Sequence, residues 1–157
     1  MIISICASMT LADRITAVKH DLETLGHTVL VPVEINEFDY LDASTEERAE
    51  LKRQHDLIRE HWRKIERSDA ILVLNEDVKG IAHYIGGNSF LEMGFAHVLE
   101  LPIYLMHPVP DMPYDSEMAA MDPTIIHGDL SLIPLDPPST SATETVDATT
   151  ATAAETA

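Results

Sequence analysis

The sequence predicts an α/β fold in which helices cover both faces of a parallel sheet of about five strands. Strand and helix signals alternate along the chain, as in βαβ units. The clearest strand signal, DAILVLN at 69–75, is a continuous apolar run, which is typical of a strand buried on both faces. We therefore expect a flavodoxin-like, Rossmann-like three-layer sandwich over residues 1–135.

Short apolar, β-branched runs predict the five strands. They cover residues 1–6, 27–33, 69–75, 101–106 and 124–127. The helices between them are predicted by capping boxes and apolar stripes.

The first helix is expected to open at a Thr10–Asp13 capping box and to close at Gly26. A Ser44–Glu47 box predicts a long helix that runs to about Arg67, with its charged residues on a solvated face. A third helix is expected from Asn88 or Ser89 to about residue 100, and a short one at 115–121.

Residues 136–157 are a low-complexity Ser/Thr/Ala/Pro segment without aromatics, which we expect to be a disordered acidic tail. No apolar run approaches the roughly 18 residues that span a membrane. The amino terminus lacks the pattern of a signal peptide, and a single cysteine, Cys6, excludes an internal disulfide. These features predict a soluble cytoplasmic protein.

The net charge is −17, from 27 acidic and 10 basic residues. Such a chain repels phosphate backbones, which argues against a nucleic-acid partner. An acidic, lysine-poor surface suits concentrated salt, where repulsion is screened. An ordinary acidic cytosolic protein is the alternative.

Glu92 is the sharpest candidate for chemistry. It is the only formally charged residue between Ser89 and Leu99, in an otherwise apolar helix. A carboxylate there is unfavourable unless it is capped, paired or functional. It could complete a capping box with Ser89, or it could face a ligand at the carboxyl ends of the strands, where such folds bind ligands. Helix polarity is expected to keep it ionised.

Four segments together resemble the nucleoside 2-deoxyribosyltransferase-like family, which includes nucleotide N-glycosidases. They are ICASM at 5–9, GHTV at 26–29, SDAILVLN at 68–75 and the Glu92-x-Gly94-x-Ala96 pattern. The resemblance covers about residues 1–132. It implies that Glu92 attacks the anomeric carbon of a nucleoside or nucleotide and forms a glycosyl-enzyme. Water or a second base then resolves this intermediate. It implies no cofactor, and a homo-oligomer whose copies complete one another's sites.

The resemblance leaves the proton donor for the leaving base open. Family members commonly carry an acid six residues before the nucleophile, where this chain has Gly86, or on the helix before strand three, near His61. Asp69, Asp77 and His61 are the candidate substitutes. The alternative for Asp69, which the sequence favours, is a cap at the entry of its strand, and the alternative for His61 is an ordinary histidine on the helix surface. Hydrolysis and transfer therefore both remain open, and a non-catalytic nucleotide-binding or sensing domain on the same fold is the alternative.

Small and polar residues at the strand ends are candidates for binding the sugar or a 5′-phosphate through backbone N–H and hydroxyl groups. These are Cys6, Ala7, Ser8, Met9, Asn75, Gly86, Gly87, Asn88 and Ser89. Ordinary turn and cap chemistry is the alternative for them, and an inert core position is the alternative for Cys6. Eight histidines form no metal-ligand motif, so we expect no metal.

Overall fold

The computed structural model describes residues 1–32, 44–54 and 56–137. Apart from Asp136 and Pro137, the predicted tail lies outside these residues, as does the last residue of the predicted second strand. Among the described residues, no helix combines the length and the apolar character needed to cross a membrane.

The five strands form one sheet in the order β2-β1-β3-β4-β5, and every neighbouring pair is parallel. Their bounds are β1 Ile2–Cys6, β2 Thr28–Leu30, β3 Ala70–Val73, β4 Ile103–Leu105 and β5 Thr124–Ile125. This strand order is the flavodoxin-like one, so the predicted fold class is confirmed. The order also places the switch point, where chain connections diverge, between β1 and β3.

The helices are α1 Ala12–Thr24, α2 Thr45–Gln54, α3 Leu57–Glu66, α4 Gly87–Val98 and α5 Asp115–Ala120. The prediction of a single long helix from Ser44 to about Arg67 is wrong. Asp56 adopts a left-handed conformation with φ of 48°, which separates α2 from α3. The Ser44–Glu47 capping box is confirmed, because each residue's backbone N–H donates to the other's side chain.

Two other helix starts differ from their predictions. A 3-10 turn at Met9–Leu11, capped by the Ser8 hydroxyl, precedes α1, so the Thr10–Asp13 box does not open that helix. Helix α4 begins at Gly87, so Ser89 stands inside it rather than at its cap. The predicted end of α1 is confirmed, since Gly26 follows it with φ of 100°.

Each face of the sheet carries its own apolar core. Ile3 and Ile5 of β1 pack on the face covered by α1, with Val18 and Leu22. Cys6 belongs to the opposite face, with residues from α3, α4 and β4. Because side chains alternate along a strand, the last residue of β1 points toward α3 and α4. This alternation brings the Cys6 thiol to the elements that carry His61 and Glu92.

Candidate active site

A cavity of about 490 Å³ lies at the carboxyl ends of β1 and β3, next to the switch point. Its walls come from the turn after β1, the loop after β3, and helices α2, α3 and α4. The lining residues are Ala7, Ser8, Met9, Pro32, Thr45, Arg48, Ala49, Lys52, Leu57, Ile58, His61, Tyr84, Gly86, Gly87, Asn88, Ser89, Leu91, Glu92 and Phe95. The volume lies in the range of small-molecule sites.

Glu92 sits in the second turn of α4 and lines this cavity. The side chain is 14% exposed. Its Oε2 atom is buried and has no hydrogen-bond partner among the described residues. Because α4 begins at Gly87, the carboxyl group is too far along the helix to fold back on its start. The predicted capping role with Ser89 is therefore wrong.

Two side chains from other elements lie beside Glu92. Nε2 of His61, on α3, is 3.7 Å from Oε1 of Glu92 and 3.7 Å from Sγ of Cys6, at the end of β1. One ligand-type atom from each residue lies within 4.8 Å of the other two. His61 lines the cavity, whereas the Cys6 sulfur lies behind it in the core. The fold thus gathers a carboxyl, an imidazole and a thiol from three separate elements.

Burial sets the charge state of this cluster. It raises the pKa of Glu92 to about 8, and the Cys6 thiol and the charge of Lys52 oppose it only in part. Burial, helped by the charge of Lys64, lowers the pKa of His61 to about 4. Burial and the nearby Glu92 raise the pKa of the Cys6 thiol well above its usual range. These shifts favour the uncharged form of all three groups at neutral pH, against the expectation that helix polarity keeps Glu92 ionised.

Positive charge from α2 also lines the cavity. Arg48 and Lys52 stand one turn apart on α2 and both face the cavity. Nζ of Lys52 donates to Oδ1 of Asn88 at 3.1 Å, which ties this wall to the start of α4. We expected the charges of α2 to form a solvated face. Their four-residue spacing places Arg48 and Lys52 on one face of a helix, which the sequence already indicates. Only the packing of α2 shows that this face lines the cavity.

Most of the predicted binding residues do line the cavity. They are Ala7, Ser8 and Met9 after β1, and Gly86, Gly87, Asn88 and Ser89 at the start of α4. The first N–H groups of a helix have no intrahelical acceptor, so the start of α4 offers donors to an anion.

Four predicted residues lie elsewhere. Cys6 was predicted to bind substrate, but it is buried in the core and does not line the cavity. Asp69 precedes β3 at the amino edge of the sheet, where its Oδ2 accepts the Ile2 N–H at 2.6 Å. Asp77 accepts the His83 N–H and does not line the cavity. Asn75 is fully buried and binds the backbone of residues 107 and 108 through both ends of its amide. The structure thus separates Asp69 and Asp77 from Glu92, and among the suggested proton donors only His61 reaches it.

No protein-family model matches the chain, and no curated protein sequence does. Among solved structures, the chain is similar to a 2-deoxyribosyltransferase from Bacillus psychrosaccharolyticus, with 17% identity and a TM-score of 0.46 over 67% of this chain and 71% of that one. It is also similar to a CMP N-glycosidase from Clostridium botulinum, with 14% identity and a TM-score of 0.45 over 80% of this chain and 85% of that one.

Proposed function

We propose that this protein cleaves or exchanges the N-glycosidic bond of a nucleoside or nucleotide, with Glu92 as the nucleophile. The observation that carries this proposal is the carboxyl group of Glu92, buried and without a hydrogen-bond partner for Oε2, on the wall of a 490 Å³ cavity. The Glu92-x-Gly94-x-Ala96 pattern, which resembles the N-glycosyl family, supports the choice of chemistry.

A structural role does not account for Glu92. An unsatisfied buried carboxyl destabilises the folded protein, and a glutamine or methionine would fill the same space with less penalty. Strongly shifted carboxyl groups in a cleft are typical of functional sites. A reaction with a ligand in the cavity would explain why the carboxyl group is present although it destabilises the fold.

His61 supplies the proton that the leaving base needs. In the first step the Glu92 oxygen attacks C1′ as the C1′–N bond breaks, and the carboxyl proton passes through Nε2 of His61, 3.7 Å away, to the departing base. Because the proton moves together with bond breaking, no separate carboxylate–imidazolium pair has to form. The products are a glycosyl ester on Glu92, the free base and a neutral His61.

The second step restores the enzyme. Water attacks C1′, the ester bond to Glu92 breaks, and the proton of the water returns through His61 to the carboxyl group. A second base in place of water gives transfer instead of hydrolysis. Either route is balanced in protons, and each one begins and ends with the neutral cluster.

The cationic wall favours a substrate with a 5′-phosphate. Lys52 and Arg48 line the same cavity as Glu92, and the start of α4 adds backbone donors. Charge-assisted hydrogen bonds to phosphate are stronger than neutral ones. This arrangement supports a nucleoside monophosphate over a nucleoside.

A homo-oligomer remains a prediction. Leu91 lines the cavity and is half-exposed, while Val98 on the same helix is 79% exposed. Leu91 and Val98 lie about two turns apart on one face of α4, and a second copy packed on this face would cover both. Light scattering during gel filtration tests this prediction, and a monomer at micromolar concentration would contradict it.

The activity is tested on a panel of nucleosides, 2′-deoxynucleosides and their 5′-monophosphates, with and without a second free base. Chromatography of the bases separates hydrolysis, which releases base, from exchange, which yields a new nucleoside. Glu92→Gln should abolish both, while the matched control Glu76→Gln should retain them.

A non-catalytic nucleotide-binding domain is the second candidate, because Gly86 occupies a position where the family carries an acid. Thermal stabilisation by a monophosphate, with neither base release nor exchange, would favour this candidate and overturn the enzymatic proposal.

A further inference from the structure

We propose that Cys6, His61 and Glu92 form a three-ligand site for a thiophilic divalent cation of the Zn²⁺ type, with its fourth coordination position open to the cavity. This inference goes beyond the N-glycosyl reaction, because the cation occupies the ligand-free protein and does not take part in catalysis.

The distances suit tetrahedral coordination. With Zn–S of about 2.3 Å and Zn–N and Zn–O of about 2.0 Å, tetrahedral angles place the sulfur about 3.5 Å from the nitrogen and the nitrogen about 3.3 Å from the oxygen. Both separations are 3.7 Å here. The third separation, between the sulfur and a Glu92 oxygen, is within 4.8 Å, so rotation of the Glu92 and His61 side chains would bring the three atoms around a cation.

The donor set selects the cation. A thiolate and an imidazole favour Zn²⁺ and similar ions over Mg²⁺ and Ca²⁺, which require several oxygen ligands. Coordination releases the thiol proton and the carboxyl proton to solvent. The resulting thiolate and carboxylate together neutralise a divalent cation, so the occupied cluster carries no net charge inside the core.

The surroundings match a three-ligand site rather than a closed four-ligand one. The ligands project from β1, α3 and α4, whose relative positions are fixed by the buried cluster that contains Cys6, Ile65 and Met93. His61 and Glu92 also line the cavity, so a cation held by them remains accessible to water on that side. Oε2 of Glu92 has no hydrogen-bond partner among the described residues. In the occupied site it would accept a hydrogen bond from the bound water or coordinate the metal.

The proposed cation would regulate the reaction. A metal ion on the carboxylate of Glu92 occupies the electron pair that attacks C1′, and a metal ion on His61 blocks proton transfer. Bound Zn²⁺ should therefore inhibit, and a chelator should restore activity. This consequence rests on the proposed function, whereas cation binding itself does not.

Binding is measured on the full chain after removal of metals with a chelator, by titration with Zn²⁺ against a fluorescent zinc indicator and with Co²⁺ by absorption spectroscopy. We expect one equivalent of cation, together with a thiolate-to-cobalt charge-transfer band and the visible bands of tetrahedral Co²⁺. Mg²⁺ should compete with neither ion.

Cys6→Ser should abolish the charge-transfer band, and His61→Gln and Glu92→Gln should each weaken Zn²⁺ binding by at least about tenfold. His107→Gln is the matched control, because it removes a histidine that contacts Glu76 without a thiol nearby. Thermal melting confirms that each variant is folded. Should Cys6→Ser fail to fold, the wild-type Co²⁺ spectrum and His61→Gln still decide the question.

Absence of the charge-transfer band in the wild type, or Zn²⁺ binding that His61→Gln and Glu92→Gln leave unchanged, would overturn the metal proposal. Stoichiometric binding, combined with no base release by the metal-free protein, would instead contradict the N-glycosyl function and leave the metal site standing. The two failures are therefore distinguishable.

Discussion

Two glutamates near the same edge of the sheet have opposite environments. Glu76, just after β3, accepts a hydrogen bond from the Nε–H of Arg14 at 2.8 Å and contacts Nε2 of His107 at 3.1 Å. Burial alone would raise its pKa, but these hydrogen bonds and charges lower it instead. Glu92 lies beside an uncharged thiol and an uncharged imidazole, and burial raises its pKa to about 8.

The difference separates a structural carboxylate from the carboxyl group that we propose as the nucleophile. Glu76 is ionised and bridges the start of α1 to the segment after β4, so its charge is used within the fold. The carboxyl of Glu92 has an unpartnered oxygen, and a cavity lies in front of it. This contrast supports the proposal that Glu92 is the nucleophile, with Glu76 as its reference.

The largest expected effect concerns catalysis. Glu92→Gln removes the nucleophile while preserving shape, so base release should fall by about 10³-fold or more. Glu76→Gln should keep activity within a few-fold of wild type. Initial rates of base release measure both. Equal losses of base release in the two variants would show that Glu92 is no more important for catalysis than Glu76.

The next effect concerns substrate charge. Lys52→Ala removes a cation from the cavity wall and should raise KM for a nucleoside monophosphate about tenfold, the value of one charge-assisted hydrogen bond. KM for the uncharged nucleoside should change little. Arg53→Ala, which removes an exposed partner of Glu50, is the control. A uniform change in KM for both substrates would argue against phosphate recognition by Lys52.

The pH dependence of stability should differ in sign at the two glutamates. The native pKa of Glu92 lies above its ordinary value of 4.5, so the folded protein holds a proton that the unfolded chain releases. The stability that this bound proton contributes to the folded state is therefore lost as the pH rises from about 5 to about 8. With a chelator present, Glu92→Gln should raise Tm at pH 8 by about 3 °C or more and flatten this slope. An unchanged slope would show that Glu92 is ionised in the folded state.

The smallest effect belongs to the ion pairs of Glu76. Its lowered pKa stabilises the fold above the ordinary value of 4.5, and this contribution is lost as the pH falls below it. Since Arg14 is 44% exposed, solvent screens the pair, and Glu76→Gln should cost about 0.5–1 kcal/mol at pH 7. Urea unfolding at pH 7 and pH 3.5 measures the difference, which should be smaller at the lower pH. A difference of the same size at both pH values would point to lost packing instead.

The sequence predicts the sheet well, because each strand is a local apolar run and parallel pairing follows from the alternation with helices. It also predicts the Ser44–Glu47 cap, which is a local hydrogen-bond exchange. The break at Asp56 was missed, since nothing in the local pattern marks a left-handed aspartate inside a helical stretch.

The site was predictable only in part. Glu92 stands out because it is a lone charge in an apolar helix, but its contacts with Cys6 and His61 depend on how three distant elements pack. Asp69 could have been excluded as a proton donor from the sequence alone. A residue that begins a parallel strand lies at the amino edge, and ligands bind at the other edge.

The most direct test of the account is to trap the glycosyl-enzyme. The protein is incubated with a nucleoside 5′-monophosphate whose 2′-fluoro group slows the second step, and intact-protein and peptide mass spectrometry follow. We predict one added glycosyl phosphate, located on Glu92 and missing in Glu92→Gln. Release of base without any adduct, or an adduct on another residue, would contradict the account.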